Sequence, residues 1–246
     1  MPGYYVHLAA SNKKARKNRS FVCGVETPDL LKYYLSTYGI VGAKNKYNII
    51  KTTDMPDFSY FEYRLQQEER NNLPVGMHYG CSSNPNVLSF WNSLTETQKT
   101  NPFYIGYLWH LLTDLLMYSY LDIDSKFNDF KNKHLDDKNL NNLLLLEVDK
   151  LHTDWDKTNA KIRDTYPDVI IPQEIKELNI IKFLDDNQTS YVDWNIIKSL
   201  TDYMRLYNPL SDNIDSVIDS VLKILPDSKN VDMYDTPNNK IFLSKH

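Results

Sequence analysis

One run constrains this chain more than any other: Asn101-Pro102-Phe103-Tyr104-Ile105-Gly106-Tyr107-Leu108-Trp109-His110-Leu111-Leu112-Thr113-Asp114. Asn101-Pro102 has the form of a helix start, with a capping side chain and a proline in the first turn, where its missing N–H costs nothing. The helix that follows is apolar around His110 and Asp114. A spacing of four puts those two on one face, one turn apart. Burying two ionisable groups is costly unless each finds a partner. A metal ion gripped by the imidazole and the carboxylate is one such partner. A hydrogen bond to each other or to the backbone is another.

The rest of the sequence reads as mainly helical, an all-α chain. Apolar residues recur at a period near 3.6, alternation is scarce, and there are seven glycines in 246 residues. Thr27-Pro28 predicts a helix start with Gly39 as its end, and Asn84-Pro85 opens another running to about Leu94. Leu140 to Tyr166 reads as a long amphipathic helix stopped by Pro167. Pro172 to Leu184, Val192 to Tyr207 and Asp212 to Leu225 are further helices. Ile40 to Phe58 and Asn71 to Asn84 read as irregular. No linker divides the chain, so the expectation is one helical domain over residues 1–225, with 226–246 as a tail or closing segment.

Charge narrows the function classes. Lys and Arg number 28 against 32 Asp and Glu, a net of -4, so no broad nucleic-acid surface is expected. The one basic cluster, Lys13 to Arg19, reads as a solvated loop. No apolar stretch reaches the length of a membrane span; Leu143 to Leu146 is far too short. The first residues lack the pattern of a signal peptide, and Cys23 and Cys81 read as reduced thiols. A cytoplasmic protein is the expectation.

Other residues could join His110 and Asp114. His78 lies in Gly76-Met77-His78-Tyr79-Gly80, where the flanking glycines permit close backbone approach. Asp29 is expected in the first turn of its helix, a position that also suits a plain cap. His7 follows Tyr4-Tyr5-Val6 in an apolar segment. His152 begins a second His-x-x-x-Asp with Asp156. His134 reads as a surface residue, and His246 is terminal. Two histidines and two carboxylates make an N2O2 set suited to zinc or a harder divalent ion, and a third histidine nearby makes a second ion possible.

The order His7, Pro28-Asp29, His78, then His110-x-x-x-Asp114 resembles the zinc-dependent phospholipase C family (the phospholipase C/P1 nuclease-like fold). The words Gly24-Val25-Glu26-Thr27-Pro28-Asp29 and Pro102 to His110 carry the same likeness. It covers roughly residues 1 to 125 and, more weakly, the helices beyond. The resemblance implies an all-helical phosphoester hydrolase with metal-activated water; the missing signal-peptide pattern departs from the family's secreted enzymes, so a non-secreted member is expected. In it Asp29, His78, His110 and Asp114 hold one ion, and Asp114 bridges to a second near His7. Two zinc ions are implied, with manganese or iron as substitutes, and a phosphoester small molecule or lipid as substrate. Asp29 and Asp114 are the candidates for orienting the water or taking its proton. The likeness departs at Tyr120 and Asp124, where family members carry a further His-x-x-x-Glu, so a three-metal centre is not expected. His152 and Asp156 are the candidates to replace that pair.

Two other readings compete. An HD-type phosphohydrolase needs an adjacent His-Asp dipeptide, and no histidine here is followed by aspartate. A non-catalytic helical binding protein needs only that His110 pair with Asp114 and that Asp29 cap a helix.

Overall fold

A computed structural model describes residues 3–69, 76–186 and 188–226. The described residues are mostly helical, and their one sheet is a two-stranded antiparallel pair. In chain order the helices are α1 (Tyr4–Ala10), α2 (Arg19–Ile50), α3 (Ser59–Glu69), α4 (Val87–Asn92), α5 (Glu96–Lys99), α6 (Pro102–Leu121), α7 (Ile123–Lys133), α8 (Leu140–Thr165), α9 (Gln173–Leu178), α10 (Trp194–Arg205) and α11 (Ile214–Lys223), with a 3-10 turn at Ala15–Lys17. The strands β1 (Gly80–Cys81) and β2 (Asn84–Pro85) form a hairpin directly after the loop that carries His78. None of these helices is long and apolar enough to cross a membrane.

Helix α6 is the axis. It starts where the sequence places it, with the Asn101 side chain accepting from the Phe103 N–H at 2.8 Å. Nearly every residue along it is buried. A helix apolar on all sides has to be surrounded by other elements, and here α1, α2, α4 and α10 pack around it.

The approach of α2 to α6 is backbone on backbone. A Cβ added at Gly106 would lie 2.1 Å from the Phe21 carbonyl oxygen, and one at Gly24 would lie 2.0 Å from that of Phe103. No other residue type fits at either position without parting the helices. This contact sets the spacing between Asp29 on α2 and the His110–Asp114 pair on α6.

Several boundaries differ from the sequence reading. Helix α2 opens at Asn18, whose side chain accepts from the Phe21 N–H at 3.0 Å, so Thr27 is not the cap and Pro28 lies inside the helix. An interior proline costs about 3 kcal/mol. Full burial of Phe21, Val25, Leu30 and Leu31 on the same stretch contributes about 1.5–3 kcal/mol each, so packing outweighs the break. Gly39 does interrupt the helix (φ 65, ψ 179), but the helix resumes beyond it to Ile50 rather than giving way to an irregular segment. Ala43, Tyr47 and Ile50 form a buried stripe there, and Tyr47 packs on Phe61 at 5.2 Å between ring centroids. Asn84-Pro85 is a strand, with Asn86 capping α4 instead. Past α9 the chain leaves the helix at Asn179 (φ 52), five residues before the expected end. The Arg16 side chain, expected in a solvated loop, is held inside by Asp168 and two backbone carbonyls. His246 and all but the first residue of the expected closing segment lie outside the described residues.

Candidate metal centre

Three elements of the core and one loop bring five side chains to one point. Helix α1 contributes His7, α2 contributes Asp29, and α6 contributes His110 and Asp114. The loop before β1 contributes His78. All five are at most 1% exposed. The loop is fixed from two sides: the Tyr107 hydroxyl donates to the Met77 carbonyl, and Arg64 donates to the Gly76 carbonyl at 3.5 Å. Tyr79 and Gly80 both take positive φ (51° and 144°), which turns the chain sharply after His78.

The separations match a metal site. His78 Nε2 stands 3.1 Å from His110 Nε2. Asp29 Oδ1 lies 3.2 Å from the first and 3.7 Å from the second. Asp114 Oδ2 lies 3.4 and 3.3 Å from the same two nitrogens. Zinc bonds of about 2.0–2.1 Å put neighbouring tetrahedral ligand atoms about 3.3–3.4 Å apart. The His78–His110–Asp29 and His78–His110–Asp114 triangles therefore each have the dimensions of one face of a tetrahedral site.

The other oxygen of each carboxylate faces His7. His7 Nε2 is 3.4 Å from Asp114 Oδ1 and 3.9 Å from Asp29 Oδ2. Its ring stacks on that of His110 at 3.9 Å. Asp29 and Asp114 thus divide their oxygens between a His78–His110 compartment and a His7 compartment. Two groups of ligand atoms lie within mutual metal-bonding reach: Asp29, His78 and His110, and His7, His110 and Asp114.

Proton counting argues for a cation. His110 Nδ1 lies 2.8 Å from the Val25 carbonyl and donates to it, so the neutral ring turns a lone pair inward at Nε2. Facing it at 3.1 Å is another imidazole nitrogen, and at most one proton fits between the two. Both oxygens of Asp29 and of Asp114, and both nitrogens of His7, have no hydrogen-bond partner. Buried carboxylates that face imidazole nitrogens without a hydrogen bond to them are a costly arrangement in a protein interior. A divalent ion removes that cost.

Electrostatics prepare the ligands. Burial, followed by the charge of His110, drives the His7 pKa well down. Burial, followed by Lys32, lowers that of His78 to about 3. Both rings are then neutral near pH 7, the form that binds metal. Burial opposes ionisation of Asp29, but the charges of the imidazoles around it, His110 first and then His78 and His7, outweigh it and hold the carboxyl below its usual range. Burial pushes Asp114 up to about 6. His110 is raised because Asp114 and Asp29 together outweigh its burial.

Asp29 sits in the second turn of helix beyond Gly24, far from the α2 start. It cannot cap a helix, which removes the bland role the sequence allowed it. His152 and Asp156 fall in neither ligand group. His152 is exposed on α8, while Asp156 is half-buried and receives the Lys182 backbone N–H. They therefore do not replace a missing ligand pair at this centre. Tyr120 turns away to donate to the Ile224 carbonyl at 2.5 Å. His134 is half-buried against Phe130 at 4.6 Å. Cys23 and Cys81 remain thiols.

Three residues near the centre escaped the sequence reading. Glu26, one turn before Asp29, is 3% exposed, and neither carboxylate oxygen has a hydrogen-bond partner. Burial, then the Asp29 charge, pushes its pKa far up. Lys32, one turn after Asp29, is half-buried and acts on His78. Tyr118, one turn after Asp114, is buried, and burial followed by the charges of Asp114 and Asp29 raises its phenol. The signal for all three was their spacing of three or four from a ligand.

No protein-family model, curated protein or solved structure gives a significant match to this chain.

Proposed function

We propose that this chain is a metal-dependent hydrolase of phosphoesters, a relative of the zinc-dependent phospholipase C family that it resembles. One observation carries the reading. Five fully buried ligand side chains from four separate parts of the chain converge, with separations suited to a metal and with too few protons to satisfy one another.

The residues take distinct parts in this reading. His78, His110, Asp29 and Asp114 would hold the first ion. His7, with Asp114, would hold the second, and Asp29 Oδ2 lies on the same side as His7. Zinc bound at such a centre supplies Lewis acidity, lowering the pKa of water toward neutrality and neutralising phosphoryl oxygens. Asp29 or Asp114 would orient the attacking water or accept its proton.

The test is elemental analysis of protein purified without chelator, followed by assay on phosphodiester and phosphomonoester substrates. The expected result is one to two equivalents of zinc, manganese or iron. Hydrolysis should be abolished by His110→Ala with helix content retained. Protein that carries no metal, and takes none up on titration, would leave a helical binding protein as the better account.

A further inference from the structure

Of the three helices that carry ligands, α1, which carries His7, is the shortest. Helix α1 has seven residues, and a helix of about that length is unstable alone. Its last carbonyls have no partners within the helix. Each is nevertheless bonded. The His7 carbonyl accepts from the Ser11 hydroxyl at 2.9 Å, and that of Leu8 accepts from Arg16 Nη1 at 3.2 Å. The Ala9 carbonyl accepts from Arg205 Nη1 at 2.9 Å, and that of Ala10 from the Trp109 indole at 3.2 Å.

The two arginines come from opposite ends of the chain and meet at one carboxylate. Arg205 Nη2 donates to Asp168 Oδ1 and Oδ2 at 3.0 and 2.9 Å, and Arg16 Nη2 donates to Oδ2. Asn12 returns a bond to the Arg205 carbonyl at 2.8 Å. The Arg205 guanidinium lies over the Tyr166 ring, 4.7 Å from its centroid. Two planar cations are thereby fixed against the negative end of the α1 dipole. The other four ligands stand on α2, on α6 and on a loop tied to α6, and neither arginine nor Asp168 bonds to the backbone carbonyls of those ligands.

We infer that Asp168, Arg16 and Arg205 form a positioning clamp that sets His7, and through it the occupancy of the second ion. The inference rests on the two-ion reading above. It makes residues 166–205, outside the part of the chain that carries the metal ligands, responsible for completing the centre.

Zinc titration of the metal-free full-length protein against a chromophoric chelator separates the two sites by affinity. In the unaltered protein two classes are expected, and His7→Ala should remove the weaker. Asp168→Asn should leave the tighter class within twofold and weaken the other at least tenfold. Asp168→Glu, which keeps the charge, should recover part of the loss. If Asp168→Asn fails to fold by circular dichroism, Arg205→Lys replaces it, since it keeps the charge but loses the paired bonds. Equal weakening of both classes, or no change in either, overturns the clamp. A single class in the unaltered protein also overturns it. No uptake at all overturns the hydrolase reading itself.

Discussion

At the scale of single residues the centre is a problem of charge and proton supply. Asp114 faces both compartments, whereas His7 faces one. Asp114→Asn should therefore drop metal content below one equivalent, while His7→Ala should remove one ion and leave the first site filled; elemental analysis of each purified variant distinguishes them. Glu26 makes a separate prediction. Its folded pKa is raised, so the folded state keeps a proton that the unfolded chain releases above about pH 4.3. The group's stabilising contribution is present below that pH and is lost progressively as pH rises toward the folded value. Urea unfolding of metal-free protein should show Glu26→Gln gaining stability over the parent between pH 5 and pH 8. A constant difference across that range would mean that Glu26 is ionised when folded. Of these residues, His110 and Asp114 were legible in the sequence because a helical spacing of four implies contact. His7, Asp29 and His78 were each individually weak; what joins them is tertiary and leaves no local mark. Glu26 was hidden because a glutamate on a helix is ordinarily solvated, and its spacing from Asp29 does not by itself announce that it is buried.

At the scale of elements, the decisive contact is the one between α2 and α6. The sequence placed α6 correctly because Asn101-Pro102 is a local start signal and the apolar run is long. It misplaced the start of α2 because Thr27-Pro28 is an equally good local signal, overridden by the packing of Phe21 and Val25 on α6. Local rules place an end where the chain alone would put one; they do not weigh burial that arrives from residues eighty positions away. Gly106 shows how tight that burial is. The Gly106→Ala Cβ would meet the Phe21 backbone at 2.1 Å, and a backbone atom cannot rotate aside. Overpacking of this kind costs about 1–3 kcal/mol, a melting-temperature fall of several degrees for a chain of this size. It should also weaken metal binding, because Asp29 moves with α2. Gly39→Ala provides the contrast. Its φ of 65° is unfavourable for alanine, but nothing lies within 4 Å of the added Cβ, so it should lose stability and keep its metal. Equal metal affinity in both variants would show that the α2–α6 spacing does not govern the site.

At the scale of the whole molecule, the five ligands lie within the first 114 residues, yet later elements pack on the helices that carry them. Tyr5 donates to the Val169 carbonyl at 3.2 Å, and α10 packs on both α1 and α6. Binding an ion at the centre is therefore linked to folding of the molecule as a unit. A ligand that binds only the folded state stabilises it by about 2.7 kcal/mol when free ligand is a hundredfold above its dissociation constant. At about 2–4 °C per kcal/mol for a chain of this length, saturating zinc should raise the melting temperature by roughly 5–10 °C over protein held in chelator. Because the ligands cross-link α1, α2, α6 and the His78 loop, the gain should appear as one shifted transition. A new early step confined to part of the chain would mean instead that α1 and its histidine come away separately. The same measurement on His110→Ala should show no zinc-dependent shift. A shift of full size in that variant would place the ion elsewhere in the protein, whatever the geometry of the buried cluster.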